Sequence, residues 1–200
     1  MRTSCFELTP GFILSIAWLN FIDSRGIFPL AALACIIHEF GHCAAIWRFG
    51  GRIRRIKLSV VGAEICLDSA LGYIPEGIIA LSGPGINLCS AFFSAQFNIS
   101  YLFSGINLVL GCFNLLPLKG LDGSRALYCV FALLVDAESA EKILAVLNRI
   151  VLAVFAFSGF YLWRVSGNFT IMCIVIWLIA VEIGKKDGFR SCQRGWKRLK

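Results

Sequence analysis

His38-Glu39-Phe40-Gly41-His42 lies inside an apolar run long enough to cross a membrane, and no other feature constrains the chain as much. The run reads Ile27-Phe-Pro-Leu-Ala-Ala-Leu-Ala-Cys-Ile-Ile37 before the motif and Cys43-Ala-Ala-Ile-Trp47 after it. On a helix, residues four apart project from one face, so His38 and His42 present their imidazoles together. That spacing suits two ligands of a tetrahedral zinc, with Glu39 beside them as a base for water. Titratable groups crowded into hydrocarbon are expensive unless they act together. A chance motif on an ordinary helix would leave a carboxylate facing lipid or a dry bundle.

Composition agrees with a membrane setting. Of 200 residues, 58% are hydrophobic, and the mean hydropathy is +0.78. The surface of one soluble domain so built would precipitate. The net charge of +7 invites a nucleic-acid partner, but its distribution excludes one. Arg48, Arg52, Arg54, Arg55 and Lys57 follow the histidine motif, and Lys185, Lys186, Arg190, Arg194, Lys197, Arg198 and Lys200 follow the last apolar run. Such clusters flanking apolar segments mark the cytoplasmic interface of a bilayer and its anionic headgroups. The nine cysteines are scattered, mostly within apolar runs and without CxxC pairing, and read as small buried apolar residues.

Apolar runs at 11–22, 27–47, 74–97, 101–118, 144–163 and 169–183 give about six spans, the first short and read as a retained helix. With the N-terminus cytoplasmic, the external connections hold only Arg25 and Arg164 of the 19 lysines and arginines. The positive-inside rule therefore places both termini in the cytoplasm of a multi-pass cell-membrane protein. The chain is expected to be one integral membrane domain over 1–200, with C-terminal helices over about 144–183 and a basic tail over 184–200.

Two cytoplasmic segments are not spans. Residues 52–68 alternate polar and β-branched side chains about Gly62. They read either as a small β-hairpin at the membrane surface or as a basic interfacial loop. As a hairpin, the strand holding Val60 would be an edge onto which a substrate strand adds. Residues 123–142 read as an amphipathic interfacial helix or a short re-entrant one.

Zinc held by two histidines needs a third protein ligand and one open position. The chain has no further histidine. Asp122 is the best carboxylate: it follows Asn114-Leu-Leu-Pro-Leu-Lys-Gly-Leu-Asp-Gly123 at the cytoplasmic end of the fourth run, at a depth like that of the histidines. Glu64, Asp68 and Glu76 compete by sequence but sit in a polar cytoplasmic stretch, and Glu182 reads as an interfacial carboxylate beside Lys185 and Lys186.

Three signals in order resemble the site-2 protease family of intramembrane zinc metalloproteases. They are His38 to His42, then Ser82-Gly83-Pro84-Gly85-Ile86-Asn87 opening another span, then Asn114, Pro117, Leu121, Asp122 and Gly123. The resemblance implies an all-α polytopic membrane protein whose three-helix catalytic core covers about 27–125. It implies a Zn2+ cofactor on His38, His42 and Asp122, with Glu39 as the catalytic base. Gly83, Pro84, Asn87 and Asn114 would belong to the substrate site, with Asn87 positioning substrate or stabilising the oxyanion and Asn114 hydrogen-bonding near the metal. Three of these also have a bland reading. Gly83 and Pro84 allow close helix packing, and Asn114 satisfies backbone groups freed before Pro117. The family usually has a glycine where Ser124 stands and often a proline where Lys119 or Gly120 stands, departures that touch the turn and not the ligand.

The small six-span build resembles the family's sporulation branch, typified by stage IV sporulation protein FB, which processes a membrane-associated pro-sigma factor. The partners so implied are the lipid bilayer, a membrane-associated protein substrate, and a regulatory membrane partner or a second copy of the chain. The competing classes are a metal transporter or assembly factor and a proteolytically inactive member that sequesters substrates. Glu39 argues against both, since a purely structural zinc site has no use for a water-facing carboxylate.

Overall fold

The computed structural model describes residues 5–59, 62–69, 71–167 and 169–184, so the basic tail from 185 onward lies outside the described residues. The chain divides into two compact units, Met1–Leu115 and Leu116–Lys200.

The first unit begins with a strand that the sequence did not announce. β1 (Cys5–Leu8) runs into helix α1 (Pro10–Ile22). Thr9 joins them: its Oγ1 accepts from the Phe12 N–H at 3.4 Å and donates to the Leu58 carbonyl at 3.1 Å. Pro10 follows at the first helical position, where a missing N–H is no loss. In the turn before α2 (Ile27–Arg48), the Asp23 carboxylate accepts from the N–H groups of Phe28 at 2.8 Å and Arg25 at 3.2 Å. The Phe28 bond does most to hold the Asp23 carboxyl below the usual carboxylate range.

Residues 52–68 form the hairpin rather than the loop. β2 (Ile53–Ser59) pairs antiparallel with β3 (Gly62–Leu67), with Lys57 opposite Glu64. β1 lies parallel to β2 on its other side, Leu8 opposite Leu58, giving the order β1-β2-β3. Val60 itself lies outside the described residues. The strand leading to it is central, so β2 is not the edge expected above. An added strand would have to use the outer side of β3 or β1.

Three helices build the rest of this unit: α2, α3 (Tyr73–Gln96) and α4 (Tyr101–Asn114). Small residues let their backbones approach. A Cβ on Gly41 would stand 2.7 Å from the Ser82 carbonyl oxygen of α3. One on Gly111 would stand 3.2 Å from the Pro84 carbonyl oxygen. Serines add cross-links, Ser104 Oγ donating to the Ala91 carbonyl at 2.6 Å and Ser94 Oγ to the Ser100 carbonyl at 3.0 Å. Gly83 and Pro84 do not open a helix as expected. α3 begins at Tyr73, and Pro84 is buried in its interior. Pro84 has no N–H for the carbonyl of Ala80, a defect that packed helices tolerate when neighbours re-satisfy the backbone. Glu76 likewise belongs to the first turn of α3 and not to the polar segment before it.

A methyl group at Gly41 must move backbone, whereas Gly105 of α4 has nothing within 4 Å of its would-be Cβ. Gly41→Ala is therefore expected to destabilise the protein by about 1–3 kcal/mol, the usual range for overpacking. Gly105→Ala is expected to be neutral or slightly stabilising through helix propensity. Thermal unfolding in detergent compares the two.

The second unit contains α5 (Asp122–Leu134), α6 (Ala137–Ser166) and α7 (Thr170–Gly184). The segment 123–142 is not one interfacial element. Asp136 ends it by capping α6, its Oδ1 accepting from the Ser139 N–H at 2.9 Å. Hydrogen bonds from the Ser139 hydroxyl and N–H hold the Asp136 carboxyl low. Glu138 and Lys142 pair at 2.7 Å on the first turns of α6, which so starts before the expected 144. By length and composition, α2, α3 and α6 can cross a membrane. Helices α1 and α4, and the 170–179 part of α7, are apolar but shorter. Many large apolar side chains are exposed, Trp47, Phe21 and Phe157 among them, as suits helices solvated by lipid.

Candidate metal centre

His38 and His42 are the twelfth and sixteenth residues of α2, about 16 Å or more from the start of that helix at 1.5 Å per residue. Both are buried, at 6% and 5% exposure. Helix α3 holds the outer nitrogen of each ring. His42 Nδ1 lies 2.7 Å from the Ile79 carbonyl, and His38 Nδ1 lies 2.9 Å from Asn87 Oδ1. A carbonyl oxygen only accepts, so both Nδ1 atoms carry the ring hydrogen. In neutral rings both Nε2 atoms then present lone pairs, and they face each other at 3.2 Å.

Two lone pairs at that distance repel unless a cation lies between them. Two imidazole nitrogens on a tetrahedral zinc, each bonded at 2.0–2.1 Å, would be about 3.3 Å apart. Outer ring N–H groups bonded to a carbonyl and an amide are the usual support for zinc-binding histidines. Gly83 supplies the space: a Cβ there would collide with His42 Nε2, and it would stand 2.6 Å from His42 Cε1 and 2.8 Å from His38 Nε2. The donor set and the gap over Gly83 both fit zinc.

Glu39 is half-buried on the same helix. Its helical position lies about 60° round the axis from His42, beside the imidazole face. Asn87 has no exposed surface, and its Nδ2 donates to the Ala34 carbonyl at 3.2 Å and to Asn107 Oδ1 at 2.9 Å. Both amide hydrogens are thus committed inside the bundle. The oxyanion role expected of Asn87 gives way to orienting His38. Asn114 Nδ2 donates to the Leu110 carbonyl one turn back in α4 at 3.0 Å, so it back-bonds its own helix and does not fill the carbonyl of Phe113, to which Pro117 has no N–H to donate.

In the second unit, Asp122 is the first residue of α5 and is 9% exposed. A helix N-terminus favours its anionic form, and Arg125 Nη1 stands 3.8 Å from Oδ1. The turn before it shows why neither Lys119 nor Gly120 is a proline. Lys119 donates its N–H to Asn148 Oδ1 of α6 at 2.9 Å, a bond that a proline could not make. Gly120 has φ of 97°, which proline cannot adopt. The buried Asn148 thereby pins to α6 the turn that delivers Asp122.

The structure superposes on the site-2 protease from Methanocaldococcus jannaschii with a TM-score of 0.65, covering 88% of each chain at 22% identity. The fold is that of a site-2 protease. In sequence, the chain is 28% identical over 137 residues to a zinc metalloprotease of the same organism. That stretch is 62% of this chain and 39% of the relative's length. No protein-family model matches. Within this fold, the Ile79 carbonyl is the site group that sequence reasoning assigned no role, whereas Asn107 reads from the sequence as an interhelical hydrogen-bonding group and does bond Asn87 of α3. A polar residue inside the apolar run 101–118 was the one available signal for Asn107.

Proposed function

We propose that the chain is an intramembrane zinc metalloprotease that hydrolyses peptide bonds of membrane-embedded or membrane-associated proteins. The observation that carries this reading is the pair of buried Nε2 atoms 3.2 Å apart, each ring fixed through Nδ1 by α3. His38 and His42 hold the metal, and Asp122 is the third ligand. When bound, zinc supplies a Lewis acid that polarises the scissile carbonyl and acidifies water. Glu39 removes the proton from the attacking water and returns it to the leaving amine, so the peptide bond is exchanged for an acid and an amine. A helical substrate must unwind before its carbonyl is reachable. Substrates with helix-weakening residues near the cut are therefore favoured, and the outer edge of β3 offers backbone groups to hold the unwound stretch.

The membrane arrangement that goes with this reading has six spans and cytoplasmic termini, supported by the placement of basic residues. A pro-sigma or anti-sigma factor as substrate rests on the resemblance to the sporulation branch. A regulatory membrane partner or a second copy of the chain is the expected company.

The test is cleavage of a transmembrane peptide carrying helix-breaking residues, with the protein in lipid nanodiscs. Cleavage should stop on chelation and return with zinc. Cleavage that survives complete metal removal would refute the reading. Asp122→Ala is expected to lower zinc affinity at least 100-fold and abolish turnover. If that variant keeps full zinc, the third ligand is another carboxylate.

A further inference from the structure

A chain of hydrogen bonds crosses from α4 through α3 to the ring of His38, and its direction is fixed at the far end. The Phe103 carbonyl can only accept, so the atom of Asn107 that lies 3.0 Å from it is Nδ2. Asn107 Oδ1 therefore points to α3, where it accepts from Asn87 Nδ2 at 2.9 Å. The Ala34 carbonyl, 3.2 Å from the same Nδ2, demands the same orientation. With its nitrogen committed, Asn87 turns Oδ1 to His38 Nδ1 at 2.9 Å. Both asparagines are wholly inaccessible to solvent, so protein groups set this order.

The two histidines differ in how firmly they are held. His42 faces a backbone carbonyl that cannot turn round. His38 faces a side-chain amide that can. Turned over, Asn87 would donate to His38 Nδ1, and the ring hydrogen would move to Nε2, where it blocks coordination. The same turn would set the Asn87 oxygen against Asn107 Oδ1 and the Ala34 carbonyl. We propose that Asn107 is a positioning residue for the metal centre: by accepting from Asn87, it locks His38 in the tautomer whose Nε2 binds zinc. The inference rests on His38 and His42 being zinc ligands.

Zinc affinity of the full chain in detergent, measured by competition with a chromophoric chelator, separates the possibilities. Failure of the wild-type protein to bind zinc would overturn the ligand assignment itself. Given wild-type binding, Asn107→Leu should weaken it by about tenfold, the low end for groups that support a ligand from behind. Asn87→Leu should weaken it more, and the double variant should be no worse than Asn87→Leu alone, because both changes break one chain. Asn107→Asp keeps an oxygen facing Asn87 and should stay within about threefold of wild type. If Asn107→Leu does not fold, Asn107→Ser replaces it, since a serine hydroxyl is too short to reach Asn87. The proposal is overturned by unchanged affinity in the Leu or Ser variant. It is also overturned by additive losses in the double variant, which would mean packing, or by an Asp variant as weak as the Leu variant.

Discussion

Glu39→Gln should leave zinc binding and helicity intact and lower peptide hydrolysis by about 10²–10⁴-fold, the share that a positioned general base contributes. The amide has the carboxylate's shape, so neither the packing of α2 nor the two ring positions should change. It cannot take a proton. Glu39 lies next in the chain to His38 and one helical turn before His42, so its removal tests the base without disturbing the ligands. Near-normal turnover by this variant in the nanodisc assay would mean that another group handles the proton.

Gly83→Ala should cost more than a methyl group at Gly41, Gly105 or Gly85. Its Cβ would collide with His42 Nε2 and stand 2.8 Å from His38 Nε2, where both nitrogens converge. Neither ring can retreat, because α3 holds both by Nδ1. Zinc affinity should fall at least 100-fold, and activity with it, while α3 keeps its helicity. Gly85→Ala is the control, since nothing lies within 4 Å of a Cβ at that position. Equal behaviour of the two variants would show that the gap over Gly83 has no part in metal binding.

The histidine pair was legible because helical spacing of four residues places side chains together whatever surrounds the helix. Its supports were not. The Ile79 carbonyl is backbone, and no residue type announces it. Asn87 was legible as a polar group in an apolar helix, but an amide both donates and accepts. Only Ala34 and Asn107 on neighbouring helices decide that its oxygen is what His38 receives. Pro84 misled because proline is at home in the first turn of a helix. Here helix–helix packing carries α3 through it for twelve further residues, to Gln96. The hairpin over 52–68 was visible as alternation, but four residues at Cys5–Leu8 are too few to reveal a third strand. The early start of α6 was hidden because Glu138 and Lys142 look like an interfacial segment until Asp136 is seen to cap them into a helix.

The zinc content of the wild-type protein, purified from zinc-replete cells and measured beside His38→Ala, tests the account at its centre. About one zinc per chain in the wild type and none in the variant is the expected result, since a site of two histidines and one carboxylate holds a single ion. A folded wild-type protein free of zinc, or a His38→Ala variant that keeps a full complement, would contradict it.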